Sequence, residues 1–223
     1  MLILRRPDVK TPEQNEPPAT PAEELPGPMR PEDFNGFYAG TPPWDIGRPQ
    51  PAFLSLAQAG AIRGRVLDVG CGTGEHTLMA AGMGLEATGI DSAPAAIALA
   101  EAKARDRGLT AHFLVHDALQ LVSLDKQFDS VLDCGLFHVL EDDDRRSFVE
   151  NLRAVIRPGG RYFMLCFSEL ETSSGGPRRV TQAEIRASFD EFPFRVLAIE
   201  PAAMETNFED GPRRCWLARV ERL

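Results

Sequence analysis

VLDVGCGTG, residues 66–74, is the stretch on which the fold turns. VLDV is a short apolar run closed by glycine, the mark of a buried strand. Gly70, Gly72 and Gly74 follow at once. Glycine tolerates positive φ, so this run makes a tight turn that a ligand can approach closely. A helix over residues 75–82 is expected next, completing one strand–turn–helix unit of a parallel sheet.

Outward from that unit the alternation repeats. EATGID (86–91) reads as the second strand, and Ser92 is placed to cap a helix that has Pro94 in its first turn and runs to Gly108. HFLVH (112–116), SVLDC (130–134) and RYFMLCF (161–167) read as further strands. A helix carrying Phe148, Val149, Leu152, Val155 and Ile156 is expected to end at Pro158-Gly159-Gly160. Thr181 with Glu184 spells a capping box for a helix to about Phe189. FRVLAIE (194–200) and CWLARVE (215–221) have no helical pattern between them and are expected to pair antiparallel. Ahead of the first strand, PAFLSLAQAG reads as a helix started by Pro51 and stopped by Gly60. Strands alternating with helices predict an α/β fold with helices on both faces of the sheet.

The composition agrees with one such domain. At 223 residues, 43% of them apolar, the chain can bury a sizeable core. A net charge of −9 gives no basic footprint for phosphates, so nucleic acid is not the expected partner. No apolar run is long enough to span a bilayer, and MLILRR is too short for a secretory core, so no membrane association is expected. Cys71, Cys134, Cys166 and Cys215 show no C-x-x-C spacing and read as free thiols in a reducing cytoplasm. Residues 1–31 hold eight of the 18 prolines and are expected to be a flexible tail. The remaining 32–223 form the domain, with an irregular, aromatic segment at 34–50 packed on it as a lid.

Acidic residues at strand ends sharpen the ligand. Asp91 ends the second strand, where a carboxylate can accept two ribose hydroxyls; Asp117 ends the third, where it can accept an adenine amino group. The turn is G-x-G-x-G rather than the dinucleotide G-x-G-x-x-G, and Asp68 stands just before it. An anion there repels a pyrophosphate but attracts an ammonium group. S-adenosylmethionine has a ribose, an adenine, two cationic centres and no phosphate, and fits this pattern better.

VLDVGCGTGEHT, GIDSAPAAIALA, HDAL, FDSVLDCGLFHVL and RPGGRYFMLCFSE, in this order, resemble the successive motifs of class I S-adenosylmethionine-dependent methyltransferases. The resemblance covers roughly residues 50–223. It implies a Rossmann-like seven-stranded sheet of order 3-2-1-4-5-7-6 with strand 7 antiparallel. By position it implies that Gly70, Cys71 and Gly72 approach the methionine part, with Gly74 completing the turn. It further implies that Asp91 holds the ribose beside Ser92, that Asp117 and Ala118 bracket the adenine, and that Cys134 and Gly135 line the methyl-donor side. A shorter stretch, PPWDIGRPQP, is similar to thiopurine methyltransferase-like and actinobacterial heterocyclic-toxin methyltransferases. That likeness implies a small, aromatic or heterocyclic acceptor methylated on N, O or S. Trp44 offers a flat face to cover the cofactor or hold the acceptor, with Tyr38, Ile46 and Gln50 beside it.

His138 is the histidine placed to act as a base toward an acceptor hydroxyl. No metal is expected, because the side chains of Asp142, Asp143 and Asp144 diverge and read as a solvated helix start. Residues 168–180 and 201–214 are the loops expected to shape the acceptor pocket, the first as a mobile lid. A nicotinamide-dependent oxidoreductase and a non-catalytic cofactor-binding protein stand as alternatives on the same fold.

Overall fold

The computed structural model describes residues 31–223, so the Pro-rich tail lies outside the described residues except for Pro31. The chain opens with helix α1 (Pro31–Phe37), a correction to the irregular segment expected from residue 34. Residues 38–50 then run without regular structure to α2 (Pro51–Gln58), which starts at its proline and stops before Gly60, at φ +69.

The sheet comprises β1 (Arg65–Val69), β2 (Glu86–Asp91), β3 (His112–Val115), β4 (Phe128–Cys134), β5 (Ile156–Phe167), β6 (Phe194–Met204) and β7 (Arg213–Arg222). Its order is β3-β2-β1-β4-β5-β7-β6, with β7 antiparallel to both neighbours, as the resemblance implied. The helices between strands are α3 (Glu75–Gly82), α4 (Pro94–Arg107), α5 (Asp142–Val155) and α6 (Gln182–Phe189). A 3₁₀ helix, Ala118–Leu124, follows β3.

Strand alternation divides the core in two. In β5, Tyr162, Met164 and Cys166 face α5 and α6, while Phe163, Leu165 and Phe167 face α2 and α3. β1 does the same with Leu67 and Val69 against Val66. Burying both faces is why these strands read as continuous apolar runs. α4 lays Ala96, Ala100 and Ala104 inward and ends at Gly108 in the left-handed region. The Thr181–Glu184 capping box forms as predicted, each residue bonding the other's backbone.

Two boundaries differ from expectation. α5 stops at Val155, and Ile156 already pairs with Phe128 in the sheet. Pro158-Gly159-Gly160 therefore sits inside β5, where the register shifts between Phe128 and Ser130. Ser92 does not cap α4: the helix starts after Ala93, and the Ala95 amide donates to Asn35 Oδ1 at 3.0 Å instead. Among the described residues no helix is long and apolar enough to cross a membrane.

Candidate active site

The chain leaves β1 toward β2 and β3, then returns to β4 on the other side of β1. Ligands of open α/β sheets bind at the carboxyl ends of strands beside such a switch. Here Val69 pairs with both Ile90 and Asp133, which brings the ends of β1, β2 and β4 level.

The glycine turn lies at that edge. Gly70 and Gly72 both adopt positive φ (63 and 54), which fits glycine. The Gly72 amide donates to Asp91 Oδ2 at 2.9 Å, so the carboxylate ending β2 also fixes the turn after β1. Two other turn residues have structural work. A Cβ on Gly74 would lie 2.8 Å from Phe113 and 2.9 Å from Ala100, so glycine here lets β3 and α4 pack against the turn. The Cys71 sulfur would lie 2.9 Å from a Cβ on Gly89, with Thr77 Oγ1 at 2.6 Å from the same point. Cys71 therefore turns its buried thiol onto β2 and can offer the crevice only main chain. Gly89, not singled out in the sequence, lets α3 close on β2.

Asp68 is buried, and its Oδ2 accepts from Thr77 N at 3.0 Å and Thr77 Oγ1 at 2.7 Å. Burial pushes its pKa up to about 7 despite those two bonds. Desolvation thus outweighs hydrogen bonding, which is the setting in which a nearby cation is favoured. Burial likewise raises the Asp91 carboxyl above its ordinary range. Asp117 caps the 3₁₀ helix, accepting from Leu119 N at 2.8 Å, with Ala118 as the first helical residue.

Residues 34–50 close over the turn. Trp44 packs against Phe37 and Phe34, with ring centroids at 5.2 and 6.0 Å. Its Nε1 donates to the Tyr38 hydroxyl at 3.4 Å, and that hydroxyl is 3.1 Å from where a Gly72 Cβ would sit. Burial raises the Tyr38 pKa, and the charge of Asp91 adds to this. Asp45 fastens the segment: its Oδ2 accepts from Thr73 Oγ1 at 2.7 Å, and Lys103 Nζ donates to Thr73 Oγ1 and to Glu75 Oε1. Burial alone would raise Glu75, but hydrogen bonds from Arg107 and Lys103 outweigh it and hold the carboxyl below its ordinary value. Asp45, Thr73, Glu75 and Lys103 are not site residues in the sequence reading, although Asp45 lies inside PPWDIG and Thr73 and Glu75 lie inside VLDVGCGTGEHT.

On the β4 side, Cys134 is half-buried and Gly135 follows at φ 91. A Gly135 Cβ would meet His138 Nε2 at 3.3 Å and Met204 Cε at 3.8 Å. Phe167 stands edge-on to His138, with centroids 4.8 Å apart. His138 Nδ1 accepts from the Phe167 amide at 2.9 Å. That bond assigns the proton of the neutral ring to Nε2. Burial, then the charges of Arg145 and Arg179, push the pKa down to about 3. In this arrangement the nitrogen turned toward Gly135 carries the proton, so the neutral ring presents an N–H there and not the free lone pair expected of a base. Asp133 shapes this turn from the other face of β4, accepting from Leu136 N at 2.8 Å and Tyr162 OH at 2.6 Å. An acid within an apolar strand was its one sequence signal.

The 168–180 loop is held by bonds within it and to β7. Arg179 donates to the carbonyls of Gly175 and Pro177 at 2.6 and 2.7 Å, and to Ser173. Glu171 accepts the amides of Ser173 and Arg214 at 2.7 and 2.6 Å.

A family model described as "Methyltransferase domain" matches residues 66–160. The chain is 36% identical over 179 residues to a 2-heptyl-1-hydroxyquinolin-4(1H)-one methyltransferase of Mycobacteroides abscessus, covering 78% of each chain. It belongs to the class I S-adenosylmethionine-dependent methyltransferases. A probable thiol methyltransferase of Arabidopsis thaliana is 27% identical over 181 residues, covering 80% of this chain and 78% of that one. A structure solved for "Conversion of a Disulfide Bond into a Thioacetal Group during Echinomycin Biosynthesis" superposes with a TM-score of 0.78 at 36% identity, covering 86% and 93% of the two chains. The magnesium protoporphyrin IX methyltransferase of Synechocystis with bound S-adenosylmethionine shares the fold, at 18% identity and a TM-score of 0.61 over 77% and 76% of the two chains.

This methyltransferase carries residues suited to its methyl donor. Two carboxylates stand at the glycine turn: Asp68, buried and raised by burial, and Asp91, which accepts the Gly72 amide from the end of β2. The oxidoreductase and non-catalytic alternatives give way to the methyltransferase relatives.

Proposed function

We propose that this methyltransferase modifies a small heteroaromatic acceptor whose reacting atom is already ionised or carries a free lone pair. The carrying observation is the cluster at Gly135: the Phe167 ring, packed on the His138 imidazole with centroids 4.8 Å apart, a thioether from Met204 and one N–H from His138. A flat apolar acceptor fits the first two, and an oxygen or nitrogen lone pair fits the third. The name of the Mycobacteroides relative, a hydroxyquinolone methyltransferase, supports the class.

When bound, S-adenosylmethionine supplies an electrophilic methyl carbon, to which the acceptor atom bonds as the carbon–sulfur bond breaks and its electron pair passes to sulfur. This chain's residues align and desolvate the reacting groups. On this reading Asp91 accepts the ribose hydroxyls beside Ser92. Gly70, Cys71 and Gly72 approach the methionine part through main chain, with Asp68 beneath the ammonium. Asp117 and Ala118 border the adenine, and Cys134 and Gly135 face the transferred methyl. Trp44 and the 34–50 segment cover the donor. His138 Nε2–H steadies the acceptor, with no general base required for an acidic hydroxyl or a ring nitrogen. The acidic surface disfavours a polyanionic acceptor, and four free thiols agree with a reducing, cytoplasmic setting.

A thiolate also needs no base, and the Arabidopsis relative makes sulfur the second reading. A screen with isotope-labelled donor against N-hydroxyquinolones, hydroxyquinolines, azoles and heteroaromatic thiols tests both. Labelled product from the oxygen or nitrogen acceptors is expected. Turnover of non-aromatic thiols alone would overturn the heteroaromatic reading.

A further inference from the structure

Gln50 joins the two halves of the site. It is the N-cap residue of α2, yet its side chain makes no capping bond. It is buried, and the amide is spent on the other end of the site. Its Nε2 donates to the Glu205 carbonyl at 2.9 Å, and its Oε1 accepts from the Glu205 amide at 2.8 Å. Glu205 lies one residue past the last ladder pair, Met204↔Arg213. The Gln50 side chain therefore supplies the donor and acceptor that a neighbouring strand would have offered. Its main chain faces the donor half: Gln50 N donates to His76 Nε2 at 3.1 Å, on the helix that follows the glycine turn.

A buried leucine would fill similar space without a polar group to satisfy, so the amide calls for a reason beyond packing. Met204 provides one. Methionine has three rotatable bonds, and it defines a wall only if its backbone is held. The Gln50–Glu205 pair clamps the residue next to it, and the Met204 methyl closes on Gly135.

We infer that Gln50 is a positioning residue for the acceptor pocket, acting through Glu205 on Met204. The inference rests on the acceptor wall proposed above, and Met204→Ala tests that wall by itself. The substitution Gln50→Leu removes both bonds to Glu205 and keeps the amide bond to His76. The measurements are the acceptor KM and kcat with 2-heptyl-1-hydroxyquinolin-4(1H)-one, the affinity for S-adenosylhomocysteine by calorimetry, and thermal unfolding. Losing two hydrogen bonds should raise the acceptor KM about tenfold, with kcat and product affinity held within about twofold. In a double-mutant cycle Gln50→Leu should add little to Met204→Ala, since both act on one wall.

If Met204→Ala leaves the acceptor KM unchanged, the acceptor wall itself is wrong. If Met204→Ala raises it and Gln50→Leu does not, only the positioning role falls. Equal loss of donor and acceptor binding, or full additivity in the cycle, would also overturn it. Should Gln50→Leu lose its cooperative transition, Gln50→Met carries the same test, because its unbranched side chain keeps the length of glutamine and loses both bonds to Glu205.

Discussion

Asp91→Asn is the sharpest test of the donor half. A carboxylate offers about four acceptor positions. The Gly72 and Ala93 amides take two of them, at 2.9 and 2.8 Å. Two remain, the number that a pair of vicinal hydroxyls requires. Asparagine keeps the size, loses the charge and has a single acceptor oxygen. A hydrogen bond to a charged group contributes about 1.5–3 kcal/mol, so losing one, taken at about 2 kcal/mol, weakens donor binding roughly thirtyfold. One buried amide then faces an NH₂ group, which costs about 1–3 kcal/mol of stability. The low end applies, because burial already opposes the ionised form of Asp91 and the neutral amide escapes that opposition. The assays are calorimetric titration with S-adenosylhomocysteine and denaturant unfolding on the same preparation. A dissociation constant within twofold of the parent, in a variant that still unfolds cooperatively, would refute the ribose assignment.

Asp68→Asn should flatten the pH dependence of the donor-free protein. Burial lifts Asp68 from an ordinary carboxyl value to about 7, so the folded state binds the proton more tightly than the unfolded chain. Stability is then greatest below about pH 4 for this group and falls by roughly 3–4 kcal/mol as pH rises to about 7. Asp133, lifted by burial to about 6, adds a slope of the same sign. Urea unfolding at pH 5 and pH 8 reads the difference, and parallel pH curves for parent and variant would sink the assignment. His138→Asn should lower kcat/KM about tenfold at every pH, as expected for a lost hydrogen-bond donor. An enzyme-derived acid limb that vanishes in the variant would instead identify a base. Thr181→Ala should cost about 1 kcal/mol by removing the α6 cap, with turnover unchanged, and an unaltered denaturation midpoint would contradict the capping role.

Helix starts and stops were legible because single residues carry them. Pro51, Gly60, Gly108 and the Thr181–Glu184 pair all act through local backbone chemistry. Pro158-Gly159-Gly160 misled for the opposite reason: strand pairing of Ile156 with Phe128, a tertiary contact, took those residues into the sheet. Ser92 lost its cap because α4 starts one residue later, after Ala93, and Asn35, 60 residues away in sequence, takes the Ala95 amide. At the site, residue types could be read but not directions. Cys71 and Gly74 stand in the glycine motif yet point into packing, and Asp117 is engaged with its own helix. His138 was found by position, but its tautomer depends on a Phe167 amide 29 residues away. Asp133 and Lys103 matter through partners that only the folded chain brings near.

The antiparallel last strand has a practical consequence. β7 passes the site at Cys215, opposite Phe167, and travels back across the sheet to Glu221, opposite Arg161. Leu223 then bonds the Pro193 carbonyl, ahead of the start of β6, at the rim remote from the glycine turn. A dye, resin or fusion coupled after Leu223 emerges on that far rim and leaves the glycine turn clear. The same cargo joined ahead of residue 38 hangs on the segment that packs over the glycine turn. Immobilised assays of this enzyme are therefore better tethered at the carboxyl end.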